Sequence, residues 1–444
     1  MTLPTRADFP DGFLFGTATS AYQIEGHRFG GAGGTHWDSF AATPGNVVGA
    51  EDGARACDHY HRWAEDLDLV AQAGFDIYRF SVSWARVMPG GRGPVNPEGL
   101  DFYDRLLDGM LARGLKPALT LYHWELPAPL SDLGGWRNRD IAGWMADYGA
   151  VIARRLGDRL WSAAPVNEPW CVSWLSHFLG HHAPGLRDIR AAARAMHHVL
   201  LAHGRVIETW RAEGLGNLGA VLNFEATHPA DPSPAARDAA RRYDAIYNRF
   251  FLSGLFRGRY PEPVLEGLGP HLPEGWQDDF ATIGAPLDWI GVNYYTRKLI
   301  GPAPGPWPAL AEVEGPLPKT DMGWEICPEG LGEILHLVHD HAGGLPIHIT
   351  ENGMASRDTL DGTEVADAGR VAYHAQHLAE VRRAIAAGLP VRAYIAWSLL
   401  DNYEWSFGYS KRFGLVHVDF DSLQRTPKAS YHAFARALRR SDHR

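Results

Sequence analysis

Short apolar runs alternate with longer amphipathic stretches along almost the whole chain. Residues 13–19 make an apolar run of strand length, and 61–73 (HRWAEDLDLVAQA) carry apolar residues at helical spacing. The pairing recurs as strand 76–83 (DIYRFSVS) with helix 100–113, strand 116–122 with helix 141–156, and a weaker strand 161–166 with helix 189–211. It continues as strand 218–224 with helix 235–252, strand 287–292 with a late helix 330–341, strand 346–350 with helix 371–387, and strand 391–397 with helix 428–439. Gly74, Gly114 and Gly388 stand at helix ends, where a left-handed cap favours glycine.

Eight strand–helix units without a long polar linker predict an α/β fold of one kind. It is a (β/α)8 TIM barrel spanning residues 1–444 as a single domain, with extended loops on the C-terminal face of the strands. A doubly wound sheet is the alternative. It would need a Gly-rich phosphate turn after an early strand, and neither GxGxxG nor a P-loop signature is present. The surplus length falls after strands, in 170–188, 296–325 and 398–425, which a barrel places on its catalytic face. Segment 296–325, rich in Pro and Gly, reads as a long loop at the rim of the opening.

That placement gives meaning to the unusual polar residues. Gln23 follows the first strand, Arg79 lies near the end of the second, and His123 and Trp124 close the third. Asn167 and Glu168 follow the fourth, Asn293 and Tyr295 the sixth, Glu351 the seventh, and Trp397 ends the eighth. All gather at C-terminal strand ends, where eight loops converge on one pocket. Two carboxylic acids among neutral hydrogen-bonding groups suit a polyhydroxylated neutral ligand. Hydrolysing an acetal needs a proton donor for the leaving oxygen and a carboxylate facing the anomeric carbon. Arg79 is a candidate to hold one carboxylate ionised, and Tyr295 can donate to the same group.

Composition narrows the partners. A net charge of −10, with both signs mixed along the chain, excludes the basic stripe that a nucleic acid or an acidic membrane would select. No basic region followed by an apolar core opens the chain and no run of 18 apolar residues occurs, so a cytoplasmic protein without a membrane partner is expected. Cys57, Cys171 and Cys327 are too few and too scattered for a disulfide framework or a zinc site and read as packed thiols. The 16 Trp are unusual; some belong to a core, and flat aromatic faces are also what the C–H surfaces of sugars stack on.

Read alone, VNEPW (166–170) is a strand end and a proline turn, and TENG (350–353) holds the common Asn-Gly turn. The run 58–61 (DHYH) has metal-ligand spacing, but it precedes a helix and lacks a companion cluster, so no metal is assigned. His181, His182, His197 and His198 read as loop and helix-surface residues.

From about Phe9 to the last helix the chain resembles glycoside hydrolase family 1, the β-glucosidase family. The resemblance is carried in order by FLFGTATSAYQIEG (13–26), ACDHYHRWAEDLDL (56–69), YRFSVSW (78–84), LYHWELP (121–127), VNEPW (166–170), GHHAPG (180–185), GVNYY (291–295), GWEICPEGL (323–331), ITENG (349–353) and WSLLDNYEWSFGYSKRFGL (397–415). It implies that Glu168 is the acid/base and Glu351 the nucleophile of a retaining mechanism without cofactor. By the same matching, Gln23, His123, Trp124, Asn167, Glu404 and Trp405 bind the glycone, Asn167 at the 2-hydroxyl, and Trp397 is the floor under the sugar. Arg79, Asn293 and Tyr295 support the carboxylates, Tyr295 also lying at the substrate, and Trp324 shapes the leaving-group side. Members acting on 6-phosphosugars usually have Ser in place of Glu404, so an unphosphorylated glucoside, with galactosides or fucosides beside it, is the implied substrate. Pro165 and the pair Ala128-Pro129 depart from the family pattern, which bears on the leaving-group side. A transglycosidase, a silent sugar-binding barrel and a metal-dependent barrel enzyme are the rival readings, and fold alone separates none of them.

Overall fold

The structure, a computed structural model, describes residues 2–362 and 364–439. Eight parallel strands are present: β1 Leu14–Ala18, β2 Ile77–Ser81, β3 Lys116–Tyr122, β4 Ser162–Val166, β5 Gly219–Pro229, β6 Trp289–Pro302, β7 Ile347–Asn352 and β8 Val391–Trp397. They are hydrogen-bonded in the order β4-β3-β2-β1-β8-β7-β6-β5. The ring closes between β4 and β5 through the parallel bridges Ala163–Leu218 and Asn167–Val221, with the Glu168 N–H donating to the Val221 carbonyl at 3.1 Å. The expected (β/α)8 barrel is the fold.

The outer helices are α1 His59–Gln72, α2 Pro97–Ala112, α3 Ile141–Leu156, α4 Ile189–Ala212, α5 Pro234–Asp244, α6 Pro328–Ala342, α7 Ala368–Ala386 and α8 Ala429–Ala437. Each turns an apolar stripe onto the strands, and the principal core fills the layer between. Gly74, Gly114 and Gly388 all have positive φ, as their cap positions require. The fifth helix departs from its expected span. α5 passes into a π-helical turn at Ala245–Arg249 before continuing as Phe250–Arg257.

Two further departures concern the rim and the histidines. β5 and β6 run on past the barrel to Pro229 and Pro302, and Leu310–Val313 pairs antiparallel with β6. Much of 296–325 is therefore strand, a ribbon standing above the barrel mouth, where the Pro and Gly content had read as loop. His197 and His198 are buried, against the expected helix surface. His197 bridges the Tyr260 hydroxyl (2.7 Å) and Asp279 (2.8 Å), and His198 Nδ1 donates to the Trp136 carbonyl at 2.9 Å. α4 is buried on more than one face because later helices cover it. His59, in the first turn of α1, is likewise buried and pairs with Asp66 at 2.8 Å.

The N-terminal end of the barrel is shut by a stack. His348 of β7 lies between Trp161 (centroids 5.6 Å apart) and Trp289 (4.8 Å), and burial lowers its pKa to about 4, leaving the ring neutral. The opposite end is open. There Asp401, fully buried in the segment after β8, accepts from Lys428 (2.6 Å), Arg412 (2.7 Å) and the Gly414 N–H (3.0 Å). Lys428 also pairs with Asp358, which pairs with Arg370. This buried ion cluster ties the chain after β7 and after β8 to the start of α8. Among the described residues no helix is long and apolar enough to cross a membrane.

Breaking one partner of a buried ion cluster strands the others. Asp401→Ala is expected to cost about 3–5 kcal/mol of stability. Equilibrium urea unfolding checks this, and a change below about 1 kcal/mol would contradict the role given to the cluster.

Candidate active site

The open end of the barrel holds a cavity of about 390 Å³, the scale of a one- or two-ring ligand. Glu168 and Glu351 both reach it, from the ends of β4 and β7, together with His123, Trp124, Tyr295, Trp324, Trp397, Glu404 and Trp405. Gln23, Arg79, Asn167 and Asn293 lie just beneath, almost wholly buried. The structure thus brings together every residue predicted for the site, in two layers.

Local backbone explains how the end residues turn inward. Glu168 (φ 51°), Trp124 (φ 81°) and Trp405 (φ 51°) all adopt left-handed conformations, which cost a non-glycine residue on the order of 1–3 kcal/mol. Hydrogen bonds hold them there. The Trp124 indole donates to the Asn167 carbonyl (2.9 Å), and its own carbonyl accepts from the Trp37 indole (3.2 Å). Gly353 follows Glu351 closely, and a Cβ there would stand 1.9 Å from the Trp397 carbonyl. Only glycine lets β7 and β8 end side by side at this point.

Beneath the cavity, the hydrogen bonds have a fixed direction. Arg79 donates to Glu351 (2.5 Å) and to the Asn167 side-chain carbonyl (2.7 Å). A guanidinium can only donate, so Asn167 must present oxygen to it and its NH2 elsewhere. That NH2 meets His123 Nε2 at 3.2 Å, which makes Nε2 the acceptor and puts the ring proton on Nδ1. His123 Nδ1 has no partner among the described residues, although buried. A buried donor on a cavity wall without a protein partner is a donor for a ligand.

The same chain runs to the second carboxyl. The Asn293 NH2 donates to Asn167 Oδ1 (3.1 Å) and to Glu168 Oε1 (2.7 Å), while its carbonyl accepts from the Thr350 hydroxyl (2.6 Å). Tyr295 donates to the other oxygen of Glu351 at 2.6 Å. The two carboxyls therefore sit in opposite settings. Glu351 lies against a cation and a phenol hydroxyl. Glu168 is pushed up to about 8, first by burial and then by the negative charge of Glu351. A protonated carboxyl beside an ionised one is the pairing that acid-assisted displacement at an acetal carbon requires.

Aromatic faces complete the wall. Trp397 and the His123 ring stack with centroids 5.8 Å apart, and Trp405 packs on Trp124 at 4.9 Å. Trp37, Trp84, Trp136 and Trp210 are instead fully buried, so the tryptophans divide between core and cavity. Gln23 is held beneath the cavity by its own contacts. Both NH2 hydrogens are spent, on Asn402 (3.1 Å) and the Tyr403 carbonyl (2.8 Å), and its oxygen accepts from Ser20. It anchors the segment that carries Glu404. Glu404 is itself raised to about 8, first by burial and then by the negative charge of the neighbouring carboxyls.

Sequence reasoning missed several lining residues. Cys171, Asn223, Glu225, Tyr247, Lys298 and Glu312 all face the cavity. Glu225 and Lys298 sit on the unforeseen extensions of β5 and β6, and Glu312 on the strand paired with β6, where no motif marks them. Cys171 carried a signal: it is three residues after Glu168, one helical turn on, and its thiol meets Glu168 Oε2 at 3.0 Å.

With this geometry described, comparison with known proteins is direct. The family model described as glycosyl hydrolase family 1 matches residues 5–442. "Beta-glucosidase A" of Thermotoga maritima is 43% identical over 436 residues, covering 97% of this chain and 98% of that one. A "Bifunctional beta-D-glucosidase/beta-D-fucosidase" of Bifidobacterium breve is 42% identical, covering 98% of each. The solved family 1 β-glucosidase of T. maritima superposes with a TM-score of 0.95 at 43% identity, over 97% of both chains. A fold shared at that level, a match from end to end and a paired-carboxylate cavity at the strand ends lead to one conclusion: the chain belongs to glycosyl hydrolase family 1.

Proposed function

We propose that the chain is a retaining β-glucosidase that removes terminal β-D-glucosyl residues by double displacement, with Glu351 as nucleophile and Glu168 as acid/base. The observation that carries the reading is the opposite setting of the two carboxyls in one cavity, one against Arg79 and one kept protonated. Glu351 attacks the anomeric carbon while Glu168 protonates the departing oxygen; water then releases the sugar as Glu168 takes its proton. On this reading Asn167, with one NH2 hydrogen left, faces the 2-hydroxyl. His123 Nδ1 and Glu404 hydrogen-bond to outer hydroxyls, Trp397 floors the sugar with Trp124 and Trp405 beside it, and Trp324 borders the leaving group.

Substrate class follows from the wall. Lys298 supplies the ammonium among the described lining residues, and Glu312 takes it up at 2.7 Å, which leaves no free cation to hold a phosphate. An unphosphorylated glycoside is proposed, such as cellobiose or another short glucan, with β-fucosides or β-galactosides as further glycones. The chain acts as one catalytic unit, and its three unpaired buried thiols favour a reducing cytoplasm.

Five outcomes test this reading. Glu351→Gln is expected to abolish turnover, whereas Glu168→Ala spares aryl glucosides with very good leaving groups and recovers with added azide. Proton NMR of the first-formed sugar should show the β-anomer, and an α-anomer appearing first would sink the retaining mechanism. The rate should fall above about pH 8, because the deprotonated Glu168 cannot assist departure. In Glu351→Gln the like charge is gone, so infrared titration of the Glu168 carboxyl should move down in pH while staying above an ordinary glutamic acid, since burial persists.

A further inference from the structure

The fixed direction of the hydrogen bonds beneath the cavity leaves one reversible contact on Glu168. Oε1 receives the Asn293 NH2, and that amide cannot turn over. Its oxygen is claimed by Thr350, and its NH2 is also required by Asn167 Oδ1, which Arg79 holds as an acceptor. Oε2 instead meets the Cys171 thiol at 3.0 Å. A thiol can donate or, after rotation about the Cβ–Sγ bond, accept. Asn223 approaches the same sulfur at 3.8 Å from β5, and Cys171 itself lines the cavity.

We propose that Cys171 is a positioning residue for the acid/base: its thiol assigns the reacting proton to Oε2 of Glu168 and follows that proton by switching between acceptor and donor. When Glu168 is protonated the O–H lies on Oε2, and sulfur accepts from it. When the proton passes to the leaving oxygen, the thiol hydrogen turns onto the Oε2 anion. When Glu168 takes a proton from the attacking water, the thiol turns back. Cys171 keeps its own hydrogen throughout, so no charge is placed on sulfur. Burial, with the charge of Glu168 beside it, holds the thiol well above its ordinary pKa, which keeps that hydrogen in place.

The groups facing this contact are known on every side. Arg79 and Glu351 lie beyond Glu168 from β2 and β7, and Asn293 and Tyr295 come from β6. Asn223 and Glu225 approach the sulfur from β5, with Tyr247 behind them. Of these, Asn293 and Cys171 alone donate to Glu168 among the described residues, so deleting the thiol removes one of the two hydrogen-bond donors to the carboxylate.

The inference rests on Glu168 being the acid/base, and its test separates the two. The alkaline limb of kcat/KM for an aryl β-glucoside is measured in wild type, Cys171→Ala, Cys171→Val and Cys171→Ser. Loss of a donor to the ionised form should move the limb upward by about one half to one pH unit in Ala and Val. Ser, which also donates and accepts, should keep it within about 0.2 of a pH unit of wild type. Limbs unmoved in Ala and Val, or moved equally in Ser, would overturn the role of Cys171. If the Ala variant does not fold, Val, which leaves no cavity at the site, decides the matter. Failure of azide to rescue Glu168→Ala would instead overturn the acid/base assignment itself.

Discussion

The site depends on a guanidinium that can only donate. Arg79, buried at the end of β2, faces Glu351 with one arm and Asn167 with the other. From that single asymmetry the orientation of two amides, the tautomer of His123 and the donor offered to Glu168 all follow, because each partner has one way left to satisfy its neighbour. A lysine could neutralise Glu351 but could not hold both acceptors in one plane. The hydrogen-bond network is therefore preorganised before any sugar arrives, which is what electrostatic assistance at a developing charge requires.

The barrel makes this arrangement possible at small cost in each element. No strand contributes more than a few of the participating groups, which lie at or just past the C-terminal ends of β2, β3, β4, β7 and β8, within β6, and in the segments that follow β1 and β8. Left-handed backbone at Glu168, Trp124 and Trp405 re-aims side chains that an extended strand would have sent elsewhere. The hydrogen bonds of the Trp124 indole and carbonyl hold one of these turns, and the buried ion cluster around Asp401 ties down the segment that leads to Trp405.

The barrel and both carboxylates were legible in the chain because period and position carry them. Apolar runs of strand length recur eight times, and a polar residue at the end of such a run has few structural uses. Other parts were not legible, for identifiable reasons. The π-helical turn after Asp244 differs from a helix by one residue in its hydrogen bonding, which leaves no mark on apolar spacing. The ribbon beyond β5 and β6 is rich in turn-forming residues, and its strands form only because each finds an edge far away in sequence. His197 and His198 looked exposed because helical period cannot tell that α4 is covered by later helices. Gln23 matched a sugar-binding position, but its donors are claimed by residues some 380 positions along the chain, a fact that no local pattern contains.

The stack of Trp161, His348 and Trp289 at the far end of the barrel has a kinetic meaning. It leaves the cavity to be reached from the opposite end of the barrel, so that departing and arriving molecules pass the same rim residues. Those residues therefore bear on which visitor completes the cycle as well as on which one begins it.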